Sequence, residues 1–235
     1  MNSHQYGAAI VKAAAGLLFA VLLISAAPTA FAQRPDDPRR DTQIWPDTTI
    51  TIKLDRNFSL SLFGTVRLGR DDTALVSQQA GIGISRSFGK HFSSAFSYRY
   101  IENEPTPGRQ SAEHRLFADF TPRTSLKYGV NVSDRNRIEW RDINEKISWR
   151  YRNRLQFERP FTIHQLRERR ITPFIAGEAL YDTRFRAWNR NQFYIGARLP
   201  IIKHVTFEGF YMKQWDARTK PGFLNVLGAY WRLDF

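Results

Sequence analysis

Apolar side chains occupy every second position up to the last residue of this chain: Leu227, Ala229, Trp231, Leu233 and Phe235, with Gly228, Tyr230, Arg232 and Asp234 between them. A two-residue period puts the two sets on opposite faces of a β-strand. Chain ends are ordinarily polar and frayed, so a two-faced strand that runs to the terminus must have a paired edge. The same period runs back through the sequence. In NFSLSLFGTVRLG, Phe58, Leu60, Leu62, Val66 and Leu68 alternate with Ser59, Ser61, Phe63, Thr65 and Arg67. HFSSAFSYRY and SLKYGVNV repeat the pattern, and further segments lie at 74–86, 111–120, 147–159, 173–181, 190–199, 204–214 and 223–235, with a weaker one at 48–54.

Alternating segments of about ten residues separated by turn residues are the pattern of a transmembrane β-barrel. Short turns at 55–57, 87–90 and 121–124 interleave with longer polar loops at 102–110, 181–191 and 215–222, as periplasmic turns and extracellular loops do. The link 160–172 is long on the side where short turns are expected. A soluble β-sandwich also alternates. Two features favour the barrel: Phe58, Phe92, Tyr98, Tyr100, Trp149, Tyr151, Phe157, Trp231 and Phe235 stand near segment ends on the apolar face, as in aromatic girdles, and the other face is too polar for a sandwich core. The expected fold is all-β, a single antiparallel transmembrane barrel of ten to twelve strands. Eleven segments are counted, whereas single-chain bacterial barrels carry an even number, so either the first does not span or one is missed.

The N-terminus places the chain in a compartment. Lys12 precedes an apolar run from Ala13 to Ala27, followed by Ala30-Phe31-Ala32. A basic start, an apolar run and an A-x-A site make a secretory signal, and the run is shorter than the roughly 20 residues of a spanning helix. The expected organisation is a signal peptide at 1–32 cleaved after Ala32, a flexible lead at 33–46 and a barrel at 47–235, exported through the periplasm to the bacterial outer membrane. The absence of Cys excludes a disulfide framework and a Cys-type zinc site, and neither a metal nor a cofactor is expected.

The chain is strongly basic, at +13, and residues 1–32 hold one Lys and no acid, which leaves +12 on the mature chain. Such a charge often signals nucleic acid, but here export and an even spread along the chain argue against that partner. An Arg or Lys on the lipid face costs about 2–4 kcal/mol at the midplane, which sorts these side chains inward. Arg135, Arg137, Glu139 and Arg141 on one segment, with Arg150, Arg152 and Arg154 on the next, would form one basic wall toward the extracellular mouth. Glu139 would be its near acid, opposite Arg150 or Arg152. A hairpin turning at TPRTS would set Asp119 opposite Lys127.

Two readings of that lumen stand side by side. Rings of Arg and Lys make anion-selective pores, which gives a small anion-preferring passive channel. Alternatively, Arg–Glu networks fill the lumen, which gives a non-conducting structural or partner-binding barrel. An enzyme is the third class. The mature chain has His91 and His204 at turns, His164 in the long link and His114 on the apolar face beside Glu113 and Arg115, with neither G-x-S-x-G nor H-E-x-x-H. Asp71-Asp72 reads as a solvated loop pair. The chain is expected not to be an enzyme. Its expected partners are membrane lipid, lipopolysaccharide, the barrel assembly machinery and small anionic solutes.

Several pieces in order carry a family resemblance: TQIW (42–45), EHRLF (113–117), NRIEWR (136–141), SWRYRNRLQFERP (148–160), GEALYD (177–182) and NRNQFYIGARLP (189–200). Together they resemble an uncharacterised family of bacterial outer-membrane proteins, the domain-of-unknown-function family numbered 2490. The resemblance implies an outer-membrane β-barrel and supplies no activity. The alternating end also resembles the C-terminal signal that such barrels present to their assembly machinery, with Tyr230, Trp231, Leu233 and Phe235 at its core.

Overall fold

A computed structural model describes residues 40–71, 73–163 and 169–235; the signal peptide expected at 1–32 lies outside them. The described chain forms β1 (Arg40–Lys53), β2 (Phe58–Gly69), β3 (Ala74–Phe88), β4 (Phe92–Asn103), β5 (Ser111–Ser125), β6 (Asn131–Ile143) and β7 (Lys146–Glu158). A short β8 (Phe161–Ile163) follows, then β9 (Arg169–Asp182), β10 (Ala187–Ile202), β11 (Val205–Asp216) and β12 (Phe223–Asp234). Each long strand pairs with its sequence neighbour, β7 pairs with β9, and β12 pairs with β1 to close the ring. The result is a closed barrel of eleven strands.

That odd count is possible because one pair is parallel. β1 runs alongside β12 from Arg40↔Phe223 to Thr51↔Asp234, while every other pair in the ring is antiparallel. The expectation of ten or twelve strands rested on strict up-and-down alternation, and a single parallel seam removes that constraint. The seam also explains the alternation at the C-terminus. Phe235 donates its N–H to the Thr51 carbonyl at 2.8 Å and accepts the Lys53 N–H at 2.8 Å, and Asp234 donates to His204 across the other edge. In lipid every backbone group must be paired within the protein, and here pairing continues to the last residue.

Three expected boundaries are corrected. Arg40–Pro46, placed in a flexible lead, belong to β1, which begins seven residues before position 47. The turn expected at 121–124 is strand, because β5 continues through Ser125; the chain turns over 126–130, with a 3-10 turn at Lys127–Gly129. The long link at 160–172 holds a small hairpin extension, β8 against the start of β9, with Phe161 opposite Ile171.

Turn chemistry fixes the registers that matter for the lumen. Asn144 and Glu145 both have positive φ, 47° and 66°, and Ile143 pairs with Lys146. That is the two-residue hairpin whose twist matches antiparallel strands, and it sets Glu139 opposite Arg150. At the other end, the Asp55 carboxylate accepts the N–H groups of Asn57 and Phe58 at 2.6 and 2.7 Å. These hydrogen bonds hold Asp55 below the usual carboxylate range.

The two faces of the strands sort as the alternation requires. Ile82, Ile84, Phe96, Ile138, Ile195 and Leu227 are exposed on the outer wall. One polar patch departs from this rule on β6 and β7, where Asp134, Asn136, Tyr151 and Asn153 point outward. Asn153 donates to Asp134 at 2.6 Å and to Asn136 at 3.1 Å, and Tyr151 donates to Asn136. Mutual hydrogen bonding lowers the cost of placing these groups on an apolar face.

Inside, one wall of the barrel is apolar. Trp45, Phe174, Tyr194, Met212, Leu224 and Val226 form a buried cluster, with Phe210 packed against it. The Phe210 ring packs against Gly228, in the space a Cβ there would occupy. Gly228→Ala is therefore expected to lower the unfolding free energy by about 1–3 kcal/mol through overpacking, read from urea unfolding in detergent. Gly177→Ala, where a methyl meets open space, serves as the reference and should leave stability unchanged.

Candidate functional site: the lumen

The barrel has two rims. The C-terminal rim carries Phe235 and the turns at 54–57, 89–91, 126–130 and 203–204; the loop rim carries 104–110, 183–186 and 217–222. Inward residues of β5, β6, β7 and β9 divide the lumen between them into a packed layer near the loop rim and a cavity that reaches the C-terminal rim.

The packed layer is built from ion pairs. Arg141 grips Glu113 through two hydrogen bonds of 2.7 Å and reaches Asp182 at 3.1 Å. Arg115 also binds Glu113, at 2.7 Å, and Arg150 binds Asp182 at 2.7 Å. Glu139 sits at the centre with no solvent exposure, 3.2 Å from Arg152 and 3.8–3.9 Å from Arg115, Arg137 and Arg150. Arg152 and Arg135 converge on Glu178 at 2.7 and 3.0 Å. On the facing wall, Arg190 pairs with Asp216 at 2.7 Å and Gln192 donates to Gln214 at 2.7 Å. Asp182, Met212 and Val226 have no exposure, so this half is filled from both walls.

Below the layer lies a cavity of about 950 Å³, whose lining includes Lys90, His91, Ser125 and Asn131 at the C-terminal rim. Eleven Lys or Arg and four Asp or Glu line it, an excess that gives the cavity a positive potential. Asp119 holds Arg137 with two bonds of 2.7 Å, and Glu208 holds Arg198 and Arg232 at 2.9 and 2.8 Å. Arg67, Arg99 and Arg154 make no ion pair among the described residues. Their guanidinium groups instead lie over aromatic rings: Arg67 over Trp45 at 4.0 Å, Arg99 over Phe63 at 4.6 Å and Arg154 over Tyr194 at 4.1 Å.

The basic wall expected from the sequence is thus split by depth. Arg141 and Arg150 belong to the packed layer, Arg135, Arg137 and Arg154 line the cavity, and Glu139 with Arg152 lies where the two meet. Glu139 is not the single near acid, because Glu113, Glu178, Asp119 and Asp182 also bind these arginines. The pair Asp119–Lys127 does not form. With β5 continuing past 121–124, Asp119 falls opposite Arg137, and Lys127 stands exposed in the turn. Arg67 and Arg99 were legible as inward residues by parity, but nothing in the sequence marks them as unpaired.

The histidines are apart from this site. His204 lies over the Phe235 ring, His91 is on the rim, and His114 points outward to Tyr98 at 2.7 Å; His164 lies outside the described residues. At the C-terminus, Tyr230 turns inward to Thr49 at 2.7 Å, while Trp231 packs on Phe207 at 4.8 Å on the outer wall.

A closed β-barrel with an apolar outer wall and a charged lumen is an outer-membrane-type barrel, the class the sequence pattern predicts. The chain belongs to the family described as protein of unknown function (DUF2490), which it matches over residues 42–225. No curated protein matches its sequence. Among solved structures it is similar to LpxR from Salmonella typhimurium, with 10% identity and a TM-score of 0.49, covering 80% of this chain and 87% of that one. It is also similar to the siderophore receptor PirA from Pseudomonas aeruginosa, with 12% identity and a TM-score of 0.28, over 70% of this chain and 32% of that one. The expectation that this chain is not an enzyme is not upheld.

Proposed function

We propose that the protein is a barrel of the bacterial outer membrane that admits small anionic solutes into its lumen and restrains their free passage. The observation that carries this reading is the division of the lumen into a basic cavity and an ion-paired layer. The cavity supplies the anion preference expected of a channel lined by Arg and Lys; the layer supplies the barrier. With the C-terminal rim in the periplasm, solute enters from that side and the layer lies toward the cell exterior. The outer wall meets lipid and lipopolysaccharide, and the C-terminal strand presents Trp231, Leu233 and Phe235 to the assembly machinery.

Passive conduction requires the layer to part. In a planar bilayer under a salt gradient, the refolded wild type is expected to show little or no stable conductance. Arg141→Ser combined with Asp182→Ser removes one charge of each sign and opens the layer, and stable conductance with an anion-selective reversal potential is the expected result. A wild type that conducts freely at rest would overturn the closed layer.

A further inference from the structure

We infer that the cavity is a binding site for a multivalent anion, whose phosphate or carboxylate groups are held by Arg67, Arg99 and Arg154. This rests on the reading above in one respect, that anions reach the cavity from the C-terminal rim. The three side chains come from β2, β4 and β7 and face one cavity. Arg donates five N–H groups in a fixed fork and keeps its charge. Here much of that donor capacity is unused. The Nε groups of Arg67 and Arg99 are buried without a partner, as are those of Arg135 and Arg232 in the same lining. Arg99 finds Gln79 at 2.8 Å and Arg154 finds Gln156 at 3.1 Å, both neutral. Asp47, in the same lining, has one buried carboxylate oxygen without a partner and makes no ion pair among the described residues.

Buried cations without counter-charge are costly to keep, and the neighbouring layer shows that this chain can place an acid against an arginine where none is to be left over. The unpaired set is therefore read as a recognition surface. Each guanidinium is held over a ring at 4.0–4.6 Å, and the N–H groups not spent on Gln79 or Gln156 remain for a charge-assisted contact. One chloride cannot meet all three. The backbones of Arg67 and Arg99 are separated by β3 across the wall and by four residues along it, since they pair with Ser77 and Gly81, so a ligand with at least two anionic groups is expected. The cavity volume of about 950 Å³ falls within the range of small-molecule sites.

Calorimetric titration of the refolded protein in uncharged detergent tests this, with inorganic pyrophosphate and citrate as probes for phosphate and carboxylate and sodium chloride as the reference. Saturable one-to-one binding of either multivalent anion is expected, and which of the two binds assigns the chemical group. Arg67→Gln combined with Arg99→Gln should weaken that binding at least about tenfold, the loss of one charge-assisted contact or more. The same double variant, free of ligand, should still unfold cooperatively, which separates loss of the site from loss of the fold. Absence of saturable heat with both anions, or equal affinity in the variant, would overturn the site. A conducting wild type that still binds either anion would overturn the closed layer alone.

Discussion

Glu139→Gln should lower the unfolding free energy by about 3–5 kcal/mol, the loss that follows when one partner of a buried ion pair is removed. Glu139 is fully buried, and four guanidinium groups lie within 3.2–3.9 Å of it. The amide is nearly isosteric, so the change isolates charge from packing. Without the carboxylate, Arg115, Arg137, Arg150 and Arg152 face one another around a buried position, and their repulsion is only partly screened by salt. Glu158→Gln is the comparison. Glu158 pairs with Arg198 at 2.9 Å, but both side chains are about a fifth exposed, so a loss of about 0–1 kcal/mol is expected. Urea unfolding followed by Trp fluorescence reads both. Equal stability of Glu139→Gln and wild type would mean that the layer holds without its central charge.

The same residues show what could be read in advance. Parity alone sorted Arg135, Arg137, Glu139, Arg141, Arg150, Arg152 and Arg154 inward, because an Arg on the lipid face is costly and a strand offers two directions. The register of β6 on β7 followed once the two-residue turn at Asn144-Glu145 was in view. The register of β7 on β9 could not be read, since the residues 159–168 between them carry no Asn-Gly or Asp-Gly pair to mark a turn, and that register brings Glu178 and Asp182 to the arginines. Parity also failed where both phases are apolar. In FLNVL, Leu224 and Val226 turn inward and Phe223 and Leu227 outward, a choice made by the apolar partners Met212 and Trp45 across the lumen wall. Asp134 defeated it in the opposite sense, as a charge on the outer wall that is held by two neighbouring amides. The parallel seam was hidden for a different reason: alternation is identical in parallel and antiparallel strands, and chain direction leaves no trace in it.

Ile195→Arg is expected to cost about 2–4 kcal/mol in a bilayer, the penalty for a lipid-facing Arg at the midplane. Ile195 lies midway along β10, half exposed on the outer wall, between Ile175 of β9 and Tyr211 of β11. Asn191→Arg, on the same face and two repeats of the pattern closer to the loop rim, should cost about 0–1 kcal/mol, as at the interface. The contrast carries the information. A barrel in water would tolerate both substitutions on its exposed face, since solvated arginines there meet no low-dielectric medium. A barrel in lipid must distinguish them by depth, because the bilayer changes from hydrocarbon to headgroup within a few residues of strand. Unfolding of both variants in phospholipid vesicles decides the point, and equal tolerance at the two positions would remove the membrane from the account of this outer wall. The same depth dependence explains the composition of the chain: with lipid closed to most of its arginines, the lumen is where they collect, and their number there exceeds what the inward acids of the cavity can neutralise.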